Sequence, residues 1–168
     1  EGSGEFSSMQ LPVGLTKNIQ INTNGISIQY ILKNKGPISL KGIFIVESNF
    51  GRTDFTTDKF TQYATDIIVN GERKNLEVPQ HFNTENNVSV FQITDVTNNI
   101  SFVFEPNEDC SFVCMPISFK RQVEKGASVE ASNTLSTSLY WNVELAAGME
   151  VEKTINLMIV PAKKSKIK

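Results

Sequence analysis

The chain has 168 residues, 39% of them apolar and 20% charged, with sixteen basic residues against eighteen acidic ones for a formal charge of -2. That length suits one domain with a core of its own, needing neither disulfides nor metal, and the composition excludes a disordered chain. The balanced charge excludes the basic footprint of a phosphate-backbone binder and no apolar run reaches membrane-spanning length, so neither nucleic acid nor a membrane is expected as a partner.

Glu1 to Ser8, EGSGEFSS, reads as an appended linker, which leaves residues 9–162 as a single domain and 163–168 as a tail. No charged stretch is followed by an apolar one near the start, so no secretory signal is read; the compartment stays open, with the cytoplasm favoured over secretion. The first elements are Asn18-Ile19-Gln20-Ile21 and Ile26 to Leu32, alternating segments joined at Asn24-Gly25, a dipeptide that accepts positive φ and closes tight hairpins. Lys35-Gly36-Pro37 ends the second strand, because proline lacks the donor a ladder needs. Ile38 to Phe50 follows as a long strand in which Gly42 marks a bulge.

Alternation is lost from Gly51 to Gln62, which predicts a long loop. Tyr63 to Val69 and Lys74 to Val78 read as a hairpin around Asn70-Gly71, and Pro79 to Asn87 as a second irregular stretch holding the sole histidine, His81, beside Phe82. The rest is more regular: Val88 to Thr94, Ile100 to Glu105, Ser111 to Met115, Ser118 to Glu124, Ser136 to Leu145 and Val151 to Val160, punctuated by Asn98-Asn99, Pro106-Asn107 and Ala147-Gly148. Roughly ten to twelve strands at spacings of about 8 to 12 residues, with no helix, predict an all-β fold, a two-sheet antiparallel β-sandwich. The tail, Lys163 to Lys168, carries four lysines and reads as a solvated end.

Cys110 and Cys114 are the only cysteines. Four residues apart on a strand they lie about 13 Å from one another at roughly 3.3 Å per residue, beyond the about 7 Å a disulfide spans, so two buried thiols are expected. Asn87-Val88-Ser89 and Asn99-Ile100-Ser101 match the glycosylation pattern, which a chain rich in Asn, Ser and Thr produces by chance.

Residues for bond-breaking are scattered. His81 is the only imidazole, and the strand-to-helix elbow that would present a nucleophile is absent. One histidine and two cysteines at i, i+4 make no zinc spacing, so no metal or other cofactor is expected; Asp54, Asp58 and Asp66 sit in or beside one loop, where calcium is the weaker reading against a solvated loop. Glu47, Asp95, Glu105, Glu124 and Glu144 lie on or near strands, where carboxylates mostly face water, although two about 5 to 10 Å apart in a pocket would make a glycosidase pair. Trp141 alternates with Leu139 and Val143 and belongs to the core, while Tyr140 points the other way. Phe55, Phe60, Tyr63 and Phe82, in irregular stretches, either plug the ends of the sandwich or present rings to a ligand.

Longer motifs point further. Phe44-Ile45-Val46-Glu47-Ser48-Asn49-Phe50 resembles the F-x-V-E-x-N-F strand in the C-terminal β-sandwich domain of glycoside hydrolase family 57, the α-amylase and 4-α-glucanotransferase group. Ile93-Thr94-Asp95, Ile100 to Phe104 and Cys110 to Met115 before Pro116-Ile117 follow in that domain's order, and Trp141, Leu145, Gly148 and Val151 to Val160 are similar to its last hairpin. Ser118 to Ala127 departs from the pattern, keeping only the Glu124 and Gly126 positions. The resemblance implies a non-catalytic domain, because the family's catalytic carboxylates lie on a separate barrel that nothing here resembles. An α-glucan or oligosaccharide and a catalytic barrel domain are the partners it implies. Phe55, Phe60, Tyr63, His81 and Phe82 are then the candidate carbohydrate-binding residues, with amides such as Gln62 and Asn83 supplying hydrogen bonds to hydroxyls. The alternative is a stand-alone protein-interaction or structural β-sandwich without sugar affinity, marked by an apolar outward sheet face.

Overall fold

The computed structural model describes residues 4–6, 9–51, 65–74, 83–95, 98–122, 126 and 128–162. These form thirteen strands and no α-helix: β1 Gly4–Phe6, β2 Met9–Leu11, β3 Val13–Asn22, β4 Gly25–Asn34, β5 Leu40–Gly51, β6 Thr65–Val69, β7 Glu72–Lys74, β8 Asn83–Val88, β9 Phe91–Asp95, β10 Ile100–Pro106, β11 Cys110–Gln122, β12 Ser128–Leu145 and β13 Glu150–Pro161. β1 and β2 make a small hairpin; the other strands form two antiparallel sheets, one of seven in the order β3-β4-β13-β10-β9-β6-β7 and one of four in the order β5-β12-β11-β8. The expected all-β sandwich is what the chain builds.

Period-two alternation decides the inward faces. On the seven-stranded sheet Tyr30, Ile155, Phe104, Phe91, Ile93, Ile67 and Val69 point in, and on the four-stranded sheet Val88, Phe112, Cys114, Leu135, Leu139 and Trp141 meet them, all buried in one core. Aromatic packing sets its centre: Phe91 stacks on Phe104 with ring centroids 4.3 Å apart and touches Phe112 at 4.7 Å. Burying rings of this size supplies a large share of the hydrophobic stabilisation of such a seam.

Several boundaries differ from the sequence reading, each for a physical reason. The first hairpin forms as expected, but its two-residue loop is Thr23-Asn24, closed by the Asn22–Gly25 pair, and neither loop residue has positive φ. Gly25 is needed for a different purpose: β13 runs so close that a side-chain carbon there would collide with the Leu157 carbonyl oxygen and lie 2.9 Å from the Met158 α-carbon. Asn70 and Gly71 do adopt positive φ, 48° and 85°, between β6 and β7, as a primed hairpin turn requires. Gly42 marks no bulge, since β5 pairs with β12 in one unbroken register from Leu40 to Gly51. The register shifts lie instead on β11, at Ile117/Ser118 against β12 and between Cys110 and Phe112 against β8.

The predicted strand Val88 to Thr94 is two strands in different sheets. Ser89-Val90 make the corner, where Asn70 accepts hydrogen bonds at Oδ1 from the amides of Ser89 (3.0 Å) and Val90 (3.2 Å) and donates from Nδ2 to the Asn87 carbonyl (2.9 Å). Asn87, at φ 55°, supplies the reversal. The irregular reading of Pro79 to Asn87 is corrected over residues 83–87, which with Val88 form β8, a strand that among the described residues pairs with β11 alone and whose polar residues carry no apolar alternation. Ser111 to Met115 and the described part of Ser118 to Glu124 fuse into β11, and among the described residues Pro116 pairs with β12 alone, where a missing donor costs least.

Candidate functional site

Pairing registers assign each strand residue to a face. On the outward face of the four-stranded sheet, Ile43 and Ile45 of β5 sit beside Asn142 and Tyr140 of β12, and Met115 and Ile117 of β11 sit beside Ser136 and Thr134. Ile43 and Ile45 are 59% and 56% exposed, and Met115 and Ile117 also reach solvent. Between the two apolar pairs lies a polar centre: Glu47 accepts from Ser136 Oγ (3.1 Å) and Asn49 Nδ2 (3.0 Å), and Lys41 pairs with Glu144 at 3.0 Å along the same face. Tyr140 points outward, as alternation predicts, and is half-buried between Ile45 and Ser111.

The opposite outward face is built from amides and hydroxyls. Asn18 Nδ2 donates to Gln29 Oε1 (2.7 Å), Ser27 Oγ to Asn156 Oδ1 (2.8 Å), and Gln92, Thr94 and Ser101 form a closed triangle with distances of 2.8 to 3.1 Å. Glu105 faces outward here with Asn156 and lines a shallow depression near the first hairpin.

Inside the seam, two polar devices stand out. Asn34 is fully buried at the end of β4: its Nδ2 donates to the carbonyls of Ile38 (2.7 Å), Leu145 (3.0 Å) and Ala146 (3.2 Å), its Oδ1 accepts from Gly36 N (2.9 Å), and its backbone bonds Gly148 and Met149. One side chain thereby ties the exit of β4 to the turn between β12 and β13. The other device is Lys153, buried on the inward side of β13, which pairs with Glu108 and sits over the Trp141 ring at 5.9 Å. Trp141 is core, as its alternation predicts.

The sequence-predicted carbohydrate-binding residues Phe55, Phe60, Tyr63, His81 and Phe82 lie outside the described residues, as do Asp54, Asp58 and Gln62 of the neighbouring readings. Asn83 begins β8. Of the strand carboxylates named from the sequence, Glu124 lies outside the described residues and the others are dispersed: Glu47 and Glu144 on one outward face, Glu105 on the other, and Asp95 at the end of β9, where it accepts from the Asn98 amide at 3.0 Å. No group of three or more His, Cys, Asp and Glu among the described residues could hold a metal ion. Cys110 and Cys114 are buried free thiols, as expected. Burial pushes both up to about 12, with the charges of Asp109 and Glu108 adding to the effect at Cys110.

Comparison with known proteins adds a family. The family model described as the C-terminal part of α-amylase/4-α-glucanotransferase matches residues 1–155. No curated protein matches the chain by sequence. Among solved structures, the 4-α-glucanotransferase of Thermococcus litoralis superposes with a TM-score of 0.64 at 17% identity, covering 92% of this chain and 20% of that one. A galactose mutarotase-like protein of Lactobacillus casei (TM-score 0.67, 11% identity, 89% of this chain and 64% of that one) and a putative aldose 1-epimerase of Escherichia coli K12 (0.64, 11%, 95% and 64%) share the fold. The chain thus spans a fifth of the glucanotransferase and less than two thirds of the other two. At these identities the likeness is one of fold.

Proposed function

This chain belongs to the family of C-terminal domains of α-amylases and 4-α-glucanotransferases, and from that premise we propose that it is a non-catalytic accessory domain that scaffolds the catalytic domain of an α-glucan-active enzyme. The observation that carries the reading is the outward face of the four-stranded sheet. Exposed Ile43, Ile45, Met115 and Ile117 flank a hydrogen-bonded polar centre, and interfaces between domains of one chain have this mixed character. Contact with α-glucan through Phe55, Phe60, Tyr63, His81 and Phe82 belongs to the same proposal.

A second reading has its own support. The exposed apolar residues Ile43, Ile45, Met115 and Ile117 carry no rings, and Tyr140 beside them is half-buried; such side chains dock on protein surfaces, whereas sugar rings stack on flat, exposed aromatic ones. This favours a protein-interaction sandwich without sugar affinity. Native electrophoresis in gels containing amylopectin, run beside an assay for maltooligosaccharide turnover, separates the alternatives. Retardation without turnover supports glucan contact, neither effect supports pure scaffolding, and turnover by the chain alone overturns the non-catalytic assignment.

A further inference from the structure

β5 is an edge of the four-stranded sheet and, among the described residues, pairs only with β12. It crosses the other sheet obliquely. Near its start Phe44 lies against Tyr30 of β4, ring centroids 5.5 Å apart, whereas near its end Phe50 lies against Phe102 and Phe104 of β10, at 5.4 and 5.6 Å. Since β13 and β4 separate β10 from the edge strand β3, the seven-stranded sheet projects past β5 by one strand at the Phe44 end and by three at the Phe50 end.

Side chains on this projecting shelf face inward yet meet water. Along one cross-strand row Phe104 is buried beneath Phe50, Leu157 and Ile26 are half-buried, and Ile21 is 80% exposed; along the next, Ile155 is buried, Ile28 half-buried and Ile19 58% exposed. The shelf meets the β5 edge at a cavity of about 220 Å³ whose lining includes Ile28, Ile155, Leu157, Val46 and Phe50, with Asn49 at the rim. An edge strand beside an apolar groove is what an added strand requires: main-chain hydrogen bonds to the edge and alternate side chains into the groove.

We infer that a segment of the parent polypeptide outside residues 1–168, extended and apolar at alternate positions, adds to β5 as a further strand, filling the cavity and covering Ile19 and Ile21. The inference rests on the accessory-domain reading, which supplies a parent polypeptide. Its length argument is that over a third of the chain in the mutarotase-like and aldose 1-epimerase structures of the same fold lies outside what this one matches. A second copy fits poorly, because two β5 edges set side by side would drive each projecting β3 into the space beneath the other's sheet. A sugar fits poorly too, since the largely hydrocarbon lining offers its hydroxyls few partners.

The test places the photocrosslinker p-benzoylphenylalanine in the full parent polypeptide, as Ile19→p-benzoylphenylalanine and Ile21→p-benzoylphenylalanine, with Gln29 on the polar outward face as control and Ile45 on the proposed docking face. Irradiation and peptide mapping should join positions 19 and 21, but not 29, to one shared segment outside residues 1–168 in the same molecule. Adducts confined to residues 1–168, crosslinked dimers, or no adduct from a variant that melts like the parent each overturn the inference. Adducts from position 45 to the catalytic domain with none from 19 and 21 overturn it alone; the converse pattern overturns only the docking face of the accessory-domain reading.

Discussion

The inward face of the seven-stranded sheet divides into a covered seam and an open shelf, although both obey the same alternation. Phe91, Phe104 and Ile155 lie under the four-stranded sheet and are buried; Ile19 and Ile21 have the same inward parity and are mostly exposed. The difference shows that alternation reports which way a side chain points, whereas burial depends on how far the facing sheet extends.

The largest effect that sharpens the contrast is expected at the middle of the seam. Phe91 is 1% exposed and held between Phe104 and Phe112, so Phe91→Ala should cost about 3 to 5 kcal/mol through lost burial and the cavity left behind. Urea unfolding followed by circular dichroism measures it, and a loss below about 1 kcal/mol would mean that the seam is not the stabilising region. Asn34→Ala comes next. It strands the buried Gly36 amide and the Leu145 carbonyl at the end of the seam, a loss on the order of 2 to 4 kcal/mol, with the turn between β12 and β13 becoming the fastest-exchanging part of the sandwich in hydrogen exchange.

Much of this was legible in the chain. Alternation with turn dipeptides was enough for the sandwich, for Trp141 in the core and for the Asn70-Gly71 hairpin, because each is a local signal read within a few residues. The corner at Ser89-Val90 was not legible, because what breaks the apolar run Val88 to Thr94 is the side chain of Asn70, distant in sequence. Asn34 gave no signal either: it looks like any strand-end asparagine until Leu145 and Ala146 arrive from the far end of the chain. Gly25 was noticed for the wrong reason, since the constraint comes from β13 and not from the turn. Of the outward face, alternation gave Tyr140 its direction, but the pairing of β5 and of β11 with opposite sides of β12 that gathers Ile43, Ile45, Met115 and Ile117 is long-range.

The thiols probe the seam by pH. Cys110 and Cys114 are neutral when protonated, and burial raises them from 9.0 to about 12, so the folded chain holds their protons more tightly than the unfolded one. Their contribution is therefore fully present below about pH 9 and is lost as pH rises toward 12, where the unfolded state ionises first. The urea midpoint should fall between about pH 8 and about pH 10.5, and Cys114→Ala should flatten that slope. An unchanged slope would indicate that the thiol side of the seam is as open as the shelf.

The smallest expected effect carries the comparison furthest. Ile21→Thr on the isolated chain should change stability by less than about 0.5 kcal/mol, since the side chain is already 80% exposed and threonine keeps the β-branched shape a strand favours. The same change one strand inward, Ile28→Thr, should cost clearly more, because Ile28 packs against the core and lines the inter-sheet cavity. These residues lie on neighbouring strands, one cross-strand row apart, and share a face, a residue type and an alternation pattern. Unequal costs in the isolated chain would tie stability to the reach of the covering sheet. Equal costs would mean that the shelf is covered in solution by this chain itself, and the boundary drawn at the β5 edge would have to move out to β3.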